Sequence, residues 1–260
     1  MSFPYKCVLM VGATSGIGLG MAEKLIRHGS KVIAVGRRQD RIDAFVRKHG
    51  DKAGGLAYDI SDSQNSSTFV KDITSSYPDL DCIFLNAGVQ AMHDLTQPDK
   101  VDLAAFHNEM NINFSSFVNI SLAFLPFLQS KQSPTSIVYT SSNLAIVPAS
   151  SMPAYSASKA ALNCFTLCLR DQLANAGSNV KVLEISPPPV QTELHDYMGQ
   201  EKGRSLGMPL DQFCDQAYNG LAKGHDQVII GSIGPQDNFM DIVVKRRGAF
   251  EVLAKMLRSF

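Results

Sequence analysis

Short apolar runs alternate with helical patterns along most of the chain. The helical periodicity predicts helices over Leu19–His28, Asp40–Lys48, Ser63–Ser76, Val101–Leu128 and Ala154–Ala176. The apolar runs between them lack the alternation of apolar and polar residues that marks a strand with one solvent-exposed face, so both faces of each predicted strand should be buried. These predicted strands are Cys7–Val11, Val32–Val35, Leu56–Ile60, Cys82–Leu85, Ile137–Thr140, Val180–Ile185 and Val228–Ile230.

Buried strands separated by helices are typical of a parallel sheet that is covered on both sides. We therefore predict an α/β fold, with a doubly wound (Rossmann-type), mostly parallel seven-stranded sheet and helices on both faces. No linker or repeat divides residues 1–260, so a single domain is expected. Residues 191–226 are polar and weakly periodic, and they are predicted to form a loop region over a site.

The amino-acid composition excludes several classes of protein. Hydrophobic residues make up 45% of the chain and charged residues 18%, which excludes a disordered or fibrous protein. The 24 basic and 24 acidic residues give zero formal charge, so neither nucleic acid nor an anionic membrane surface is an expected partner. Five cysteines without a Cys-x-x-Cys pair indicate a reduced, cytoplasmic protein. The six histidines show no metal-ligand spacing, so no metal site is predicted.

Met110–Ser130 carries no charge over 21 residues, enough to span a bilayer. Its asparagines and serines would be costly in lipid, so a helix buried in a soluble protein is predicted instead. The N-terminus also lacks the charged start and long apolar run of a signal peptide.

A glycine-rich turn follows the first predicted strand and opens the first helix. Such a turn lets backbone N–H groups and the helix N-terminus approach a pyrophosphate. Its spacing, G-x-x-x-G-x-G, differs from the commoner G-x-G-x-x-G pattern, and a simple tight turn is the alternative. Its position favours a dinucleotide site, with Gly12, Thr14, Ser15, Gly16, Ile17 and Gly18 as cofactor-binding residues.

The second predicted strand leads into Gly36-Arg37-Arg38, where an acidic residue would favour NAD. A small residue leaves room for a 2′-phosphate and a guanidinium can grip it, so NADP(H) is preferred over NAD(H). Arg37 is the main candidate, and Arg38 could share the phosphate. The alternative is that these arginines form a solvated helix start. Asp59 and Ile60, at the end of the third predicted strand, are placed to meet the adenine.

The candidate catalytic residues are Ser142, Tyr155 and Lys159. Residues four apart share one helix face, so Lys159 can stand beside Tyr155. A nearby ammonium favours phenolate, and Tyr155 would then exchange a proton with a carbonyl oxygen. Ser142 follows the fifth predicted strand and could hydrogen-bond the same oxygen. Y-x-x-x-K alone is weak evidence, but it is strong together with the glycine turn and the upstream serine.

With these motifs, residues 5–235 resemble the short-chain dehydrogenase/reductase family. The family's Asn-Ala-Gly matches Asn86, Ala87 and Gly88, and its helix asparagine matches Asn113, with Asn111 as the alternative. The resemblance implies that Asn113 holds a water linked to Lys159, and that Lys159 also binds the nicotinamide ribose. It implies nicotinamide contacts at Val190 and Thr192. It also implies a homodimer or homotetramer, paired through the two long helices.

Two departures from the family pattern stand out. Val11 replaces the usual threonine, and Pro188 replaces the usual glycine in Pro187-Pro188-Pro189, which stiffens the backbone beside the substrate pocket. Two further features are discounted: Cys164 and Cys168 are expected in the core, and Lys245-Arg246-Arg247 is expected as a solvated cap before a final helix.

The sequence thus predicts an NADPH-dependent reductase of a ketone or aldehyde, with Tyr155 as the general acid. The alternatives are an NAD(P)+-dependent alcohol dehydrogenase working in the oxidative direction and a nucleotide-binding regulatory protein without turnover. The substrate itself is not encoded in any recognisable pattern, because residues 143–153 and 191–226 shape its pocket.

Overall fold

The computed structural model describes residues 3–62 and 65–259, and within them seven parallel strands form one sheet. The strand order is β3-β2-β1-β4-β5-β6-β7, with helices against both faces, which confirms the predicted fold class. The strands are β1 (Cys7–Val11), β2 (Lys31–Gly36), β3 (Ala53–Ala57), β4 (Cys82–Leu85), β5 (Thr135–Thr140), β6 (Val180–Ser186) and β7 (Gln227–Ile229).

Nine helices in the described residues cover the sheet or lie at its edge. They are α1 (Gly16–Arg27), α2 (Gln39–His49), α3 (Ser66–Ser76), α4 (Leu103–Met110), α5 (Ser116–Gln129), α6 (Pro153–Asn175), α7 (Gln200–Ser205), α8 (Leu210–Ala222) and α9 (Gln236–Leu257). Side chains of β1 alternate between two apolar clusters. Val8 and Met10 join the cluster formed with α1 and α8, whereas Leu9 and Val11 join the cluster formed with α3, α5 and α6.

The strand order reverses at β1, and this reversal positions the site. Val11 pairs with Val35 of β2 on one side and with Leu85 of β4 on the other. The chain leaves these strands toward opposite faces of the sheet, which opens a crevice beyond their carboxyl ends. Ligands bind in such a crevice in open parallel sheets.

β3 starts earlier than the sequence predicted, at Ala53 instead of Leu56. The prediction missed Gly54 and Gly55 because glycine is disfavoured in strands. Close packing explains their presence: a Cβ on Gly54 would lie 2.3 Å from the Tyr77 hydroxyl, and one on Gly55 would lie 2.2 Å from the Ile42 side chain. Asp59 and Ile60 consequently lie beyond the strand. Ser63, the predicted start of the following helix, lies outside the described residues.

The predicted long helix is present as α4 and α5, joined by a π-helical turn at Asn111–Ser115. By length and composition, Leu103–Gln129 is apolar enough to cross a membrane. Phe117, Ile120 and Phe124 instead pack on the sheet within an apolar cluster, as side chains of a core helix do.

The expected loop region 191–226 is only partly a loop. Its second half contains α8, whose Phe213, Ala217 and Leu221 are buried against α1. A Cβ on Gly20 of α1 would lie 2.7 Å from Cys214, so the two helices are in close contact. The segment that covers the site is therefore shorter than predicted, and consists of a 3-10 turn at Glu193–Met198, α7 and the connection to α8.

Two discounted features also differ from expectation. Lys245-Arg246-Arg247 lies inside α9 and is not a cap: Arg246 donates to the Asn163 side chain, and Arg247 forms two hydrogen bonds with Asp226. Of the two cysteines expected in the core, Cys164 is exposed and Cys168 half-buried, because they lie on a face of α6 turned away from the sheet.

Candidate active site

A cavity of about 670 Å³ lies at the carboxyl edge of the sheet, within the size range of small-molecule sites. It brings together most of the residues that the sequence singled out. The predicted residues that line it are Gly12, Thr14, Ser15, Gly16, Ile17, Arg37, Arg38, Asp59, Ile60, Asn86, Ala87, Gly88, Ser142, Tyr155, Lys159, Val190 and Thr192.

The glycine turn forms one wall of this cavity. Gly12 has a φ of +87°, and a Cβ there would lie 2.6 Å from the backbone nitrogen of Ala87. Gly18 lies behind the turn, outside the cavity lining, where a Cβ would be 2.1 Å from the Gly12 carbonyl oxygen. The glycines therefore let α1 and the turn after β4 approach β1 closely, and they leave the backbone near the cavity uncovered.

Three arginines lie near the end of β2, and they differ in their contacts. Arg37 is exposed and forms no hydrogen bond or ion pair within the described residues. Arg38 donates to Thr14 Oγ1 at 3.0 and 3.1 Å and to Ser15 Oγ at 2.6 Å. Arg38 and Arg41 both also bind Glu193, a residue that the sequence analysis did not single out.

Asp59 and Asn86 have their polar atoms partly engaged by neighbours. Asp59 Oδ1 accepts hydrogen bonds from the backbone and the hydroxyl of Ser61, which fixes the loop after β3. Asn86 Oδ1 accepts from Thr140 Oγ1 at 2.9 Å and so links the ends of β4 and β5. Both residues face the cavity, and Gly88 lines it beside them.

Tyr155 is buried at the base of the cavity, close to Ser142. Ser142 begins a short 3-10 turn, and its hydroxyl accepts from the backbone of Leu144. Burial is the largest effect on Tyr155 and raises its pKa to about 12. The hydrogen bond with Ser142 acts to lower this pKa, and the charge of Glu109 acts to raise it. Desolvation outweighs the lowering by Ser142. Tyr155 is thus a neutral phenol that can donate a proton.

Lys159 is only 2% exposed and stands one helical turn beyond Tyr155. Its Nζ donates to the Thr140 carbonyl oxygen at 2.8 Å and lies 5.7 Å from the centre of the Tyr155 ring. Burial lowers the pKa of Lys159 to about 8, against an opposing effect from the buried Glu184 carboxylate. A small change in its surroundings therefore changes its protonation near neutral pH.

Asn113 is fully buried in the π-helical turn and does not line the cavity. Its side chain exchanges two hydrogen bonds of 2.9 Å with the Val89 backbone, and it donates to Ser158 Oγ. A Cβ on Gly88 would lie 3.4 Å from Asn113 Oδ1 and 3.8 Å from Lys159 Nζ, so both side chains lie behind the same short loop. Asn113 holds that loop in place, whereas Asn111, the alternative, is only half-buried.

The segment after β6 closes the cavity on its other side. Val190 is buried and pairs with Met208 as an isolated bridge, while Thr192 Oγ1 accepts from the Leu194 backbone. Gly207 lies against the three prolines, and a Cβ on it would be 2.1 Å from the Pro189 carbonyl oxygen. Pro188 itself lies against Gly231, where a Cβ would be 3.2 Å from the Pro188 side chain.

Five residues that line the substrate half of the cavity lie within the segments expected to shape it, 143–153 and 191–226: Leu144, Met152, Tyr197, Met198 and Leu206. Sequence reasoning missed Gln90, Met92 and Ile233, which line the same half. It also missed a buried pair next to this half, in which His93 Nε2 lies 2.8 Å from Glu109 Oε1. No local pattern joins the two, because His93 lies in the loop after β4 and Glu109 lies on α4, 16 residues later. Among the described residues, no group of three His, Cys, Asp or Glu side chains could hold a metal ion.

Comparison with known proteins identifies similar sequences across most of the chain. The family model described as short chain dehydrogenase matches residues 6–203. The uncharacterized oxidoreductase DltE of Bacillus subtilis is 31% identical over 88% of this chain and 89% of its own. A serine 3-dehydrogenase of Rhizobium radiobacter is 31% identical over 72% of each chain. A benzil reductase ((S)-benzoin forming) of Saccharomyces cerevisiae is 29% identical over 76% of each.

Solved structures show the same architecture. A short chain dehydrogenase from Burkholderia cenocepacia in complex with NADP has a TM-score of 0.78 and 25% identity, over 97% of this chain and 99% of its own. A short chain dehydrogenase/reductase from Burkholderia phymatum in complex with NAD has a TM-score of 0.79. At 21% identity over 88% of this chain and 90% of its own, the second shows the fold alone.

Proposed function

Because the chain belongs to the short-chain dehydrogenase/reductase family, and is therefore an oxidoreductase with a nicotinamide cofactor, we propose that it is an NADPH-dependent reductase of a ketone or aldehyde. One observation carries the proposal: Tyr155, Ser142 and Lys159 meet in the same cavity as the glycine turn and the unpaired Arg37.

The chain's own residues account for the proton chemistry. The neutral Tyr155 phenol donates a proton to the carbonyl oxygen as that oxygen gains charge, and the Ser142 hydroxyl hydrogen-bonds the same oxygen. Lys159 lies on the same helix face as Tyr155, and its ammonium would donate to a ribose hydroxyl of the bound cofactor. When bound, NADPH supplies the hydride. The glycine turn fits the pyrophosphate because it leads into the N-terminus of α1, where Ser15, Gly16 and Ile17 line the cavity.

The lining of the substrate half supports an uncharged, largely apolar carbonyl compound. Met92, Leu144, Met152 and Leu206 supply apolar surface, and Gln90 donates to the Tyr197 hydroxyl at 3.0 Å. Among the described lining residues, the arginines lie at the β2 end, and the Lys159 ammonium, which donates to Thr140, would give its remaining donors to the cofactor ribose. A substrate carboxylate would thus lack a cationic partner and lose its hydration. An aromatic diketone therefore suits the cavity better than an amino acid does.

The direct test follows the absorbance of NADPH with a panel of carbonyl compounds. Benzil and simple aryl ketones should be reduced, whereas serine with NADP+ should give no signal above background. NADH in place of NADPH should give a lower kcat/KM. Oxidation of alcohols with no measurable carbonyl reduction would favour the reverse activity. Tight NADPH binding without turnover of any compound would favour a regulatory nucleotide-binding protein.

A double arginine substitution tests the cofactor preference. Arg37→Ala with Arg38→Ala should weaken NADPH binding at least about tenfold, because a charge-assisted contact contributes about 1.5–3 kcal/mol. NADH lacks the phosphate, so its affinity should stay within about threefold of the parent value. Fluorescence titration measures both. A double variant that still prefers NADPH as strongly as the parent would contradict the assignment. Arg47→Ala, an exposed arginine near the end of α2, is the matched control.

NADPH affinity should decrease as the pH rises above about 8. Below the pKa of Lys159, which burial lowers to about 8, the ammonium is protonated and can donate to the ribose. Above that pKa, the neutral amine is a weaker donor, so the dissociation constant should rise. Titrations from about pH 7 to about pH 9.5 measure this change. This range ends below the pKa of a lysine exposed to water, so the exposed lysines stay protonated throughout. Tyr155→Phe should keep the pH dependence and Lys159→Met should remove it. A flat profile for the parent would contradict the prediction.

We also propose that the protein is cytoplasmic and forms a homodimer or homotetramer through α5 and α6. Leu122 on α5 and Cys164 on α6 are exposed, which supports a contact between copies on these two helices. Sedimentation velocity of the parent and of Leu122→Glu tests the assembly, since a charge in the contact should shift the distribution toward the monomer.

A further inference from the structure

Glu193 holds two of the three arginines at the β2 end of the cavity. Its Oε2 lies 2.8 Å from Arg38 Nη1, and its Oε1 lies 2.8 Å from Arg41 Nη1. Partial burial alone would raise the pKa of Glu193, but hydrogen bonds from both arginines lower it to about 2. The carboxylate is therefore ionised at neutral pH and bridges two guanidiniums from α2 and its N-terminus.

Arg38 has little donor capacity left for another anion, whereas Arg41 has only its Nη1 engaged. Arg38 uses its Nε and Nη2 atoms on the hydroxyls of Thr14 and Ser15, and Arg41 Nη1 also donates to the Thr14 carbonyl oxygen. Arg37 has no partner within the described residues. An anion arriving at this end thus finds one unpaired guanidinium and two that already hold a carboxylate.

A carboxylate and a phosphate make the same kind of charge-assisted hydrogen bonds with arginine. They also repel each other at close range, since both are negative. We propose that Glu193 is a specificity-determining residue, which weakens NADPH binding by competing with the 2′-phosphate for Arg38 and Arg41. This inference rests on the proposed function for the identity of the cofactor. The competition has no counterpart for NADH, whose ribose carries hydroxyls only.

Removing the charge of Glu193 should therefore tighten NADPH binding. In Glu193→Gln the side chain keeps its size but loses its negative charge, and its one acceptor oxygen holds the two guanidiniums less strongly than two carboxylate oxygens do. We expect NADPH affinity to rise at least about fivefold. One charge-assisted hydrogen bond contributes about tenfold or more, but the gain is smaller here because the bond from arginine to the phosphate replaces the bond from arginine to residue 193. NADH affinity should stay within about twofold. Glu193→Asp, which keeps the charge on a shorter side chain, should give a smaller gain.

The experiment measures binding and does not depend on turnover. Isothermal titration calorimetry at fixed ionic strength compares adenosine 2′,5′-bisphosphate, NADPH and NADH on the parent, Glu193→Gln and Glu201→Gln. Glu201 is exposed on α7 in the same segment and forms no ion pair within the described residues, so its variant controls for net charge. Thermal melts confirm that each variant is folded.

The outcomes separate this inference from the proposed function. Tighter binding of the bisphosphate and NADPH by Glu193→Gln, but not by Glu201→Gln, supports the competition. If the parent prefers NADH and only Glu193→Gln gains affinity for the bisphosphate, the cofactor proposal fails while the competition is supported. If Glu193→Gln leaves bisphosphate binding unchanged or weakens it, the competition is overturned, whichever cofactor the parent uses. In the last case Glu193 serves to position Arg38.

Discussion

Replacing Tyr155 with phenylalanine should abolish turnover while leaving the fold and NADPH binding intact. The change removes one hydroxyl, which is the proton donor, and leaves the buried ring in place. Proton transfer from a positioned side chain contributes about 10²–10⁴-fold to the rate, and kcat should fall by at least that much. Steady-state reduction of the best carbonyl substrate measures kcat, and fluorescence titration measures NADPH affinity. More than a tenth of the parent activity in the variant would overturn the assignment.

Tyr139→Phe is the matched control for this substitution. Tyr139 is also a fully buried tyrosine, on β5, and its hydroxyl lies 2.5 Å from Ser121 Oγ. Its removal leaves the Ser121 hydroxyl with its bond to the Phe117 carbonyl oxygen, so the variant should remain folded. Stability should fall by about 1 kcal/mol for a lost neutral hydrogen bond, with kcat nearly unchanged. Equal losses of kcat in the two variants would show that Tyr155 acts structurally.

Replacing Lys159 with methionine should impair both cofactor binding and chemistry. Methionine fills nearly the same volume without the ammonium, so the Thr140 carbonyl oxygen loses its donor and the ribose loses a charged one. A hydrogen bond from a charged group contributes about 1.5–3 kcal/mol, which corresponds to roughly 10- to 150-fold in NADPH affinity. The same variant should lose turnover, because the ammonium next to Tyr155 is absent as the phenol gives up its proton.

The control for Lys159→Met is Lys181→Met, which removes an exposed ammonium from β6 outside the cavity. It should bind NADPH and turn over substrate like the parent. The melting temperature of Lys159→Met should be no lower than that of the parent. Folding of the parent desolvates the Lys159 ammonium, which is why burial lowers the pKa of this lysine, and the variant has no such charge to desolvate. Unchanged NADPH affinity in Lys159→Met would show that this ammonium does not reach the ribose.

Buried strands were the most predictable part of the fold. Five or more consecutive apolar positions, as in β1, occur where both faces of a strand are covered, and that property is local to the sequence. The start of β3 was misplaced because the residues that fit there depend on side chains distant in sequence. Tyr77 and Ile42 pack so closely against Gly54 and Gly55 that a Cβ at either position would overlap them. α8 was missed although its buried side chains Phe213, Ala217 and Leu221 follow helical spacing, with polar residues on the opposite face.

The site also contains residues that a local sequence pattern reveals and residues that depend on contacts distant in sequence. Residues with a fixed place in a motif, such as Gly12 and Tyr155, were found because the chemistry needs that spacing along the chain. Glu193 was not, because its partner Arg38 is 155 residues away and no local pattern joins them. The sequence likewise shows that a lysine lies near Tyr155, whereas the burial that raises the pKa of this phenol emerges only in the folded chain.

The three strands that carry the catalytic and glycine-turn residues are adjacent in the sheet but remote in sequence. The Asn86 side chain joins the Gly12 turn across 74 residues and Thr140 across 54 residues. Each pairing must close a long stretch of chain before it gains any contact energy, so sheets of this topology form slowly and as a unit. A partly paired sheet has helices and strands but no proton donor beside a glycine turn. Catalytic competence is therefore acquired only when the central strands β1, β4 and β5 have joined, so the return of activity during refolding reports the pairing of these three strands.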